Sequence, residues 1–119
     1  EKFPPGFEDG QSVDGPAPVP PKSGTVRGRC LCGDVAFELA GRPEVVQNCH
    51  CSRCRRARSA AHATNAFFRR DQLTWVRGEE HVASFALPGA KRFGQDFCRR
   101  CGSPVARAIA STGFVVVPC

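Results

Sequence analysis

Seven of the eight cysteines fall into three short elements, and their spacing limits the fold more than any other feature of the chain. The elements are CxC at Cys30 and Cys32, CxCxxC at Cys49, Cys51 and Cys54, and CxxC at Cys98 and Cys101. Thiols recurring every second or third residue converge on one point, which suits a metal ion better than a set of disulfides. Zinc in a structural site takes four ligands. Two of the elements can close one such site between them. The stretch NCHCSRC, with three cysteines in residues 49 to 54, leaves a fourth position to be filled from elsewhere or kept open for chemistry.

Local geometry suggests how the thiols divide. On a strand, residues i and i+2 point to the same side, so Cys30 and Cys32 can grip one ion. Cys98 and Cys101 bracket a tight turn, where Gly102 permits a positive φ. These four thiols would join the start of the domain to its far end, a structural zinc offsetting the entropy of closing a long loop. Cys49 and Cys51 share the same-side relation, and Cys54 follows at the start of a helix expected after Ser52. There the helix dipole and Arg53, Arg55 and Arg56 favour the thiolate form. Three protein ligands with an open fourth position is the arrangement of a catalytic zinc. Two other assignments compete: a zinc ribbon of Cys51, Cys54, Cys98 and Cys101, or closure of the second site by His50, His62 or Cys119. His50 on a strand points away from its cysteine neighbours, and Cys119, ending the apolar run FVVVPC, reads as a buried, inert thiol.

A chain of 119 residues has room for one core. Residues 1–24 are Pro- and Gly-rich with few large apolar side chains, and read as a flexible N-terminal arm. Residues 25–119 form the zinc-binding domain. The arm carries a net charge of −2 and the domain +8, with arginine supplying 14 of the 17 basic residues. Arginine pairs bidentately with carboxylates and phosphates, so small acidic metabolites and nucleic acid are both plausible partners. No motif that reads nucleic acid is visible, and the lone Trp75 offers no series of stacking aromatics. Nucleic acid is therefore the less favoured partner. No apolar run approaches the length of a membrane span, and the N-terminus lacks the pattern of a signal peptide, so a cytoplasmic location is expected.

Hydrophobic periodicity predicts a mainly β domain of short antiparallel strands in a meander, with one short helix at the middle cysteine element. DVAFELA (34–40) alternates, with Val35, Phe37 and Leu39 on one face. VVQNC (45–49), HATNAFFRR (62–70), QLTWVRG (72–78), HVASFAL (81–87), KRFGQDFC (91–98), PVARAIA (104–110) and GFVVVPC (113–119) all have strand length and composition.

GRCLCGDVAFEL, NCHCSRCRRARSAA and FCRRCGSP together resemble the glutathione-dependent formaldehyde-activating enzyme family, which includes centromere protein V-like domains. The likeness spans roughly residues 25 to 117, with the three cysteine elements in the family's order. It implies a zinc-bound β-tent. It also implies two zinc ions, a structural one at Cys30, Cys32, Cys98 and Cys101 and a second at Cys49, Cys51 and Cys54. Where members often carry a glycine a few residues after the CRR segment, this chain has Ser59. The expected activity is that of a zinc-dependent carbon–sulfur lyase acting on a thiol–aldehyde adduct of the S-hydroxymethylglutathione kind. Arg53, Arg55, Arg56 or Arg58 would clamp the carboxylates of glutathione. The competing expectation is a non-catalytic zinc module whose basic face binds nucleic acid or a protein.

Overall fold

The computed structural model describes residues 24–119; apart from Gly24, the N-terminal arm lies outside the described residues. The alternating DVAFELA segment builds β2 (Ala36–Ala40), the middle strand of a three-stranded antiparallel sheet. Its neighbours are β1 (Thr25–Arg29) and β5 (Leu73–Arg77). A second antiparallel sheet runs in the order β3 (Val45–Cys49), β4 (Ala63–Arg69), β9 (Phe114–Pro118), β8 (Arg107–Ile109). A separate hairpin pairs β6 (Val82–Ala86) with β7 (Gly94–Cys98). The single α-helix among the described residues, α1 (Ser52–Arg58), connects β3 to β4.

The strands are antiparallel, but they do not follow one another as a simple meander. β5 returns to β2, and β9 inserts between β4 and β8. The reason lies in burial. Central strands β2 and β4 carry most of the buried residues that lie in strands, and a buried strand needs a hydrogen-bonding partner on each edge. Two predicted strands are shorter than their composition suggested. Residues 91–93 stay outside β7, and of residues 104–110 only 107–109 enter β8, behind an isolated bridge between Phe97 and Pro104. Pro104 has no N–H to extend that ladder.

The core lies between the two larger sheets. Val35, Phe37 and Leu39 meet Ala66 and Phe68 of β4, Val115 and Val117 of β9, and the Val105–Ala106 pair. The expected inward face of the first alternating segment is thus the buried one. Phe37 also packs edge-on against Trp75, with ring centroids 5.6 Å apart. A side chain of this size contributes about 1.5–3 kcal/mol on burial. Gly78 shows how close the packing is. It sits at φ 74°, and any Cβ there would collide with the Asp34 carbonyl.

The CxC element is not on a strand. Cys30 to Asp34 form the turn between β1 and β2, in which the Gly33 N–H donates to the Cys30 carbonyl at 3.2 Å and Gly33 takes φ 84°. Cys30 and Cys32 approach each other because this turn folds them together, and the alternation of a pleated strand plays no part.

Candidate functional site

The β1–β2 turn and the Cys98–Gly102 knuckle bring four thiols into one group, with all sulfurs within 4.8 Å of one another. Cys30 and Cys32 sulfurs are 3.5 Å apart, and those of Cys32 and Cys98 are 3.8 Å apart. A tetrahedral ion with zinc–sulfur bonds of about 2.3 Å sets its sulfurs roughly 3.8 Å apart, so the donor set fits. The knuckle closes with the Gly102 N–H donating to the Cys98 carbonyl at 2.8 Å, and Gly102 takes φ 76°. Further contacts lock the two loops together. Leu31 N–H donates to Ser103 Oγ at 2.9 Å, and Arg100 donates to Asp34 Oδ1 at 3.2 Å. Cys30 and Cys98 are fully buried members of the core.

Cys49, Cys51 and Cys54 form the second group, again with all sulfurs within 4.8 Å. Cys49 ends β3, and Cys51 is the N-cap of α1, its sulfur accepting from the Cys54 N–H at 3.3 Å. That backbone donor, with the neighbouring thiols, holds Cys51 down at about 7. Burial, reinforced by Cys49 and Cys51, pushes Cys54 up to about 12. The cause of the lowered thiol is therefore local hydrogen bonding, not the arginine run. The four-cysteine and three-cysteine groups are separate, so no ribbon joins Cys51 and Cys54 to Cys98 and Cys101. His50 and His62 are exposed, their rings 5.3 Å apart, and neither joins the group. Cys119 is exposed rather than buried, because the chain carries it past the end of the core that Val115 and Val117 enter. Each of the two clusters can hold a metal ion, in keeping with zinc.

The second cluster opens onto a cavity. Its volume is about 340 Å³, and Cys49 and Cys54 stand in its wall. The sheet explains its position. Cys49 pairs with Ala63, and Phe67 pairs with Val116, so the odd-numbered residues of β3 and β4 share a face with the even-numbered residues of β9. That face lines the cavity, while the opposite face of β4 and β9 enters the core. Phe93 to Asp96 line it as well, and Ala57 and Arg58 of α1 stand in its wall with the cysteines.

Arg58 lies four residues after Cys54 and so shares its helix face. Its Nη1 donates to Gln95 Oε1 at 2.7 Å, while its buried Nε has no partner. Burial lowers its pKa, opposed by the negative charge available at Cys54. Deeper in, Arg107 is paired with Asp96 at 2.6 Å. Asn65, 7 % exposed, faces the cavity with Oδ1 unpartnered. Arg53, Arg55 and Arg56 are exposed and do not line this cavity; Arg55 and Arg56 border a shallow depression on the outer side of α1. The four-residue spacing could have singled out Arg58 among the arginines. Nothing local marks Asn65 on the adjoining strand β4, or Asp96 and Arg107, which arrive from distant strands.

No helix among the described residues is long and apolar enough to cross a membrane. No curated protein matches the chain. A crystal structure of a Rhodobacter sphaeroides protein, solved in a structural genomics programme, superposes with a TM-score of 0.61 at 28% identity, covering 77% of this chain and 83% of the other. The family model for glutathione-dependent formaldehyde-activating enzyme matches residues 25–118. With two cysteine clusters set as described within that span, the chain belongs to the glutathione-dependent formaldehyde-activating enzyme family.

Proposed function

We propose that the protein is a zinc-dependent carbon–sulfur lyase acting on a thiol–aldehyde adduct, with its reaction centre at Cys49, Cys51 and Cys54. The observation that carries this reading is the placement of Cys49 and Cys54, two members of the three-cysteine cluster, in the wall of a cavity. Two zinc ions are assigned, a structural one to Cys30, Cys32, Cys98 and Cys101, and a second to the open cluster. When bound there, zinc would lower the pKa of a substrate thiol and hold its sulfur beside the cavity.

The remaining tasks belong to the chain's own side chains. Cys49, Cys51 and Cys54 fix the place of the sulfur. Arg58, with no ion-pair partner among the described residues, stands in the cavity wall on the helix face of Cys54 and can hold a carboxylate of an acidic thiol such as glutathione. Arg53, Arg55 and Arg56 can meet only a part of the substrate that remains outside the cavity. The test is cleavage of S-hydroxymethylglutathione by the zinc-loaded protein, followed by trapping of released formaldehyde. Acceleration that disappears in Cys54→Ser supports the reading. A wild-type protein carrying both ions and giving no acceleration refutes it.

A second reading has one observation in its favour. Arg53, Arg55 and Arg56 are all exposed on one short helix, with no ion-pair partner among the described residues. A nucleic-acid-binding module would use such a face, and its affinity would fall steeply as salt rises.

A further inference from the structure

We infer that the cavity beside Cys49 and Cys54 receives the aldehyde-derived half of the adduct, and that this half carries a bulky apolar group rather than the single carbon of formaldehyde. The inference rests on the lyase reading for the reaction, but the cavity's preference can be read without turnover.

Size is the first argument. A volume of about 340 Å³ lies within the range of small-molecule sites, roughly 300–1,000 Å³. A hydroxymethyl group is comparable to one or two water molecules, at about 30 Å³ each, and would leave most of that space without contacts. Lining is the second. The wall surface is mainly apolar, with Phe67, Phe93, Ile109, Phe114 and Val116 among its side chains. The tripeptide of glutathione could fill the volume, but its peptide groups and two carboxylates would be desolvated against these side chains. The charged groups available to repay them are limited: Arg107 is already neutralised by Asp96, Arg58 stands beside the cysteines, and Arg92 is exposed. Gln47, Gln95 and Thr112 add neutral polar side chains. Burying unpaired amides or carboxylates costs more than the cavity returns. The thiol's polar body therefore stays at the edge of the cavity beside Arg58, and the apolar substituent of the carbon goes in.

Asn65 is the third argument. It lies on β4 two residues beyond Ala63, the partner of Cys49, hence about 6.8 Å along the strand from that pair. It is more than nine-tenths buried, faces the cavity, and has an Oδ1 with no partner. A buried acceptor left unpaired is costly, so a ligand donor is the natural complement. The hydroxyl of a thiol–aldehyde adduct is such a donor. In the cleavage the carbon–sulfur bond breaks with its electron pair passing to sulfur, while the O–H electrons form the carbonyl. The released proton balances the thiolate, and the products are one thiol and one aldehyde. Asn65 acts as a positioning residue that holds the hydroxyl with its carbon toward the cysteines.

Inert probes isolate the cavity from the chemistry. Benzyl alcohol and methanol present the same hydroxyl with and without an apolar body, and S-methylglutathione presents the peptide with its sulfur blocked. Titrated into the zinc-loaded full chain and followed by backbone amide shifts, benzyl alcohol should perturb Phe67, Ile109, Phe114 and Val116 at least about tenfold more tightly than methanol. Val116→Phe should abolish those shifts by filling the space, with Ile109→Phe, on the neighbouring strand, in its place if that variant does not fold. Asn65→Leu should weaken benzyl alcohol but not toluene. In turnover, the phenylacetaldehyde adduct of glutathione should exceed the formaldehyde adduct by about tenfold in kcat/KM. Benzyl alcohol binding no better than methanol, or S-methylglutathione shifting the cavity amides in its stead, overturns the inference. Cavity shifts with no turnover of either adduct would uphold the cavity's preference and refute the lyase reading alone.

Discussion

The two cysteine clusters use the same donor chemistry in opposite settings. The four-cysteine group ties together two turns distant in sequence: Cys32 and Cys98, 66 residues apart, bring their sulfurs to 3.8 Å. Cys30 and Cys98 are buried in the core, and Ser103, Asp34 and Arg100 bind the two turns to each other. The three-cysteine group is local, drawn from a strand end and the first turn of α1, with Cys51 exposed. Closing a loop of that length rather than a few residues changes the entropy cost by roughly 2 kcal/mol. An ion at the first group therefore constrains the whole domain, whereas one at the second constrains a single corner. On the proposed reading, connectivity and solvent access separate a staple from a reaction centre, with the ligand type held constant.

The comparison breaks most visibly under ligand removal. Cys98→Ser should remove cooperative folding, because structural zinc sites contribute folding energy directly. Cys54→Ser should leave a cooperative thermal transition and remove one equivalent of metal. Equal loss of folding in both variants, measured by calorimetry with metal analysis, would make both clusters structural. Chelation gives a milder version of the same contrast. A competing chelator should withdraw one of two zinc equivalents first, with circular dichroism unchanged until the second leaves. Simultaneous loss of both would erase the distinction.

A smaller effect sharpens the account of the open site. Arg58→Ala should weaken an acidic thiol by about ten- to a hundredfold, the equivalent of ~1.5–3 kcal/mol for a charge-assisted contact, and spare a neutral thiol. Arg56→Ala, on the outer side of the helix, should do much less. If Arg56 proves the more costly of the two, the thiol approaches over the outside of α1 and the site's orientation is reversed.

The smallest effect concerns Ser59, where the helix beside the open cluster ends. Ser59 caps α1 at φ 50° and ψ 42°, the one non-glycine positive φ among the described residues. A side chain there costs about 1–2 kcal/mol, partly offset by the greater entropy glycine loses on folding. Ser59→Gly should accordingly stabilise the domain by ~0.5–1 kcal/mol, raising Tm by roughly 2–6 °C. The glycine common in the family near this position has its physical explanation in that cap. An unchanged or lowered Tm would show that Ser59 is held by interactions beyond its backbone.

Much of this architecture was legible before the fold was known. The three cysteine elements, the inward face of Val35, Phe37 and Leu39, strand β3 at residues 45–49 and a helix opening at Ser52 all follow from short-range spacing. A pleat and a helical turn repeat over two to four residues, so local sequence is enough to set them. The CxC element misled for the same reason. Its two-residue spacing suits a strand, but Gly33 makes a turn that also brings the sulfurs together. Cys119 misled because apolar neighbours in sequence do not show where the core ends.

Sequence by itself determined which residues carry thiols, where the chain alternates, and that the domain is mainly β with ligands for metal. Tertiary structure decided which turn met which knuckle, that β5 returned to β2 and β9 to β4, and that one face of the second sheet was left uncovered by the core. It also decided that Arg58 and Asn65, rather than the conspicuous Arg53, Arg55 and Arg56, line the cavity beside Cys49 and Cys54. The division follows range. Ligand type and strand face are set by covalent neighbours a few residues apart, while a cavity exists only where segments tens of residues apart pack imperfectly against one another.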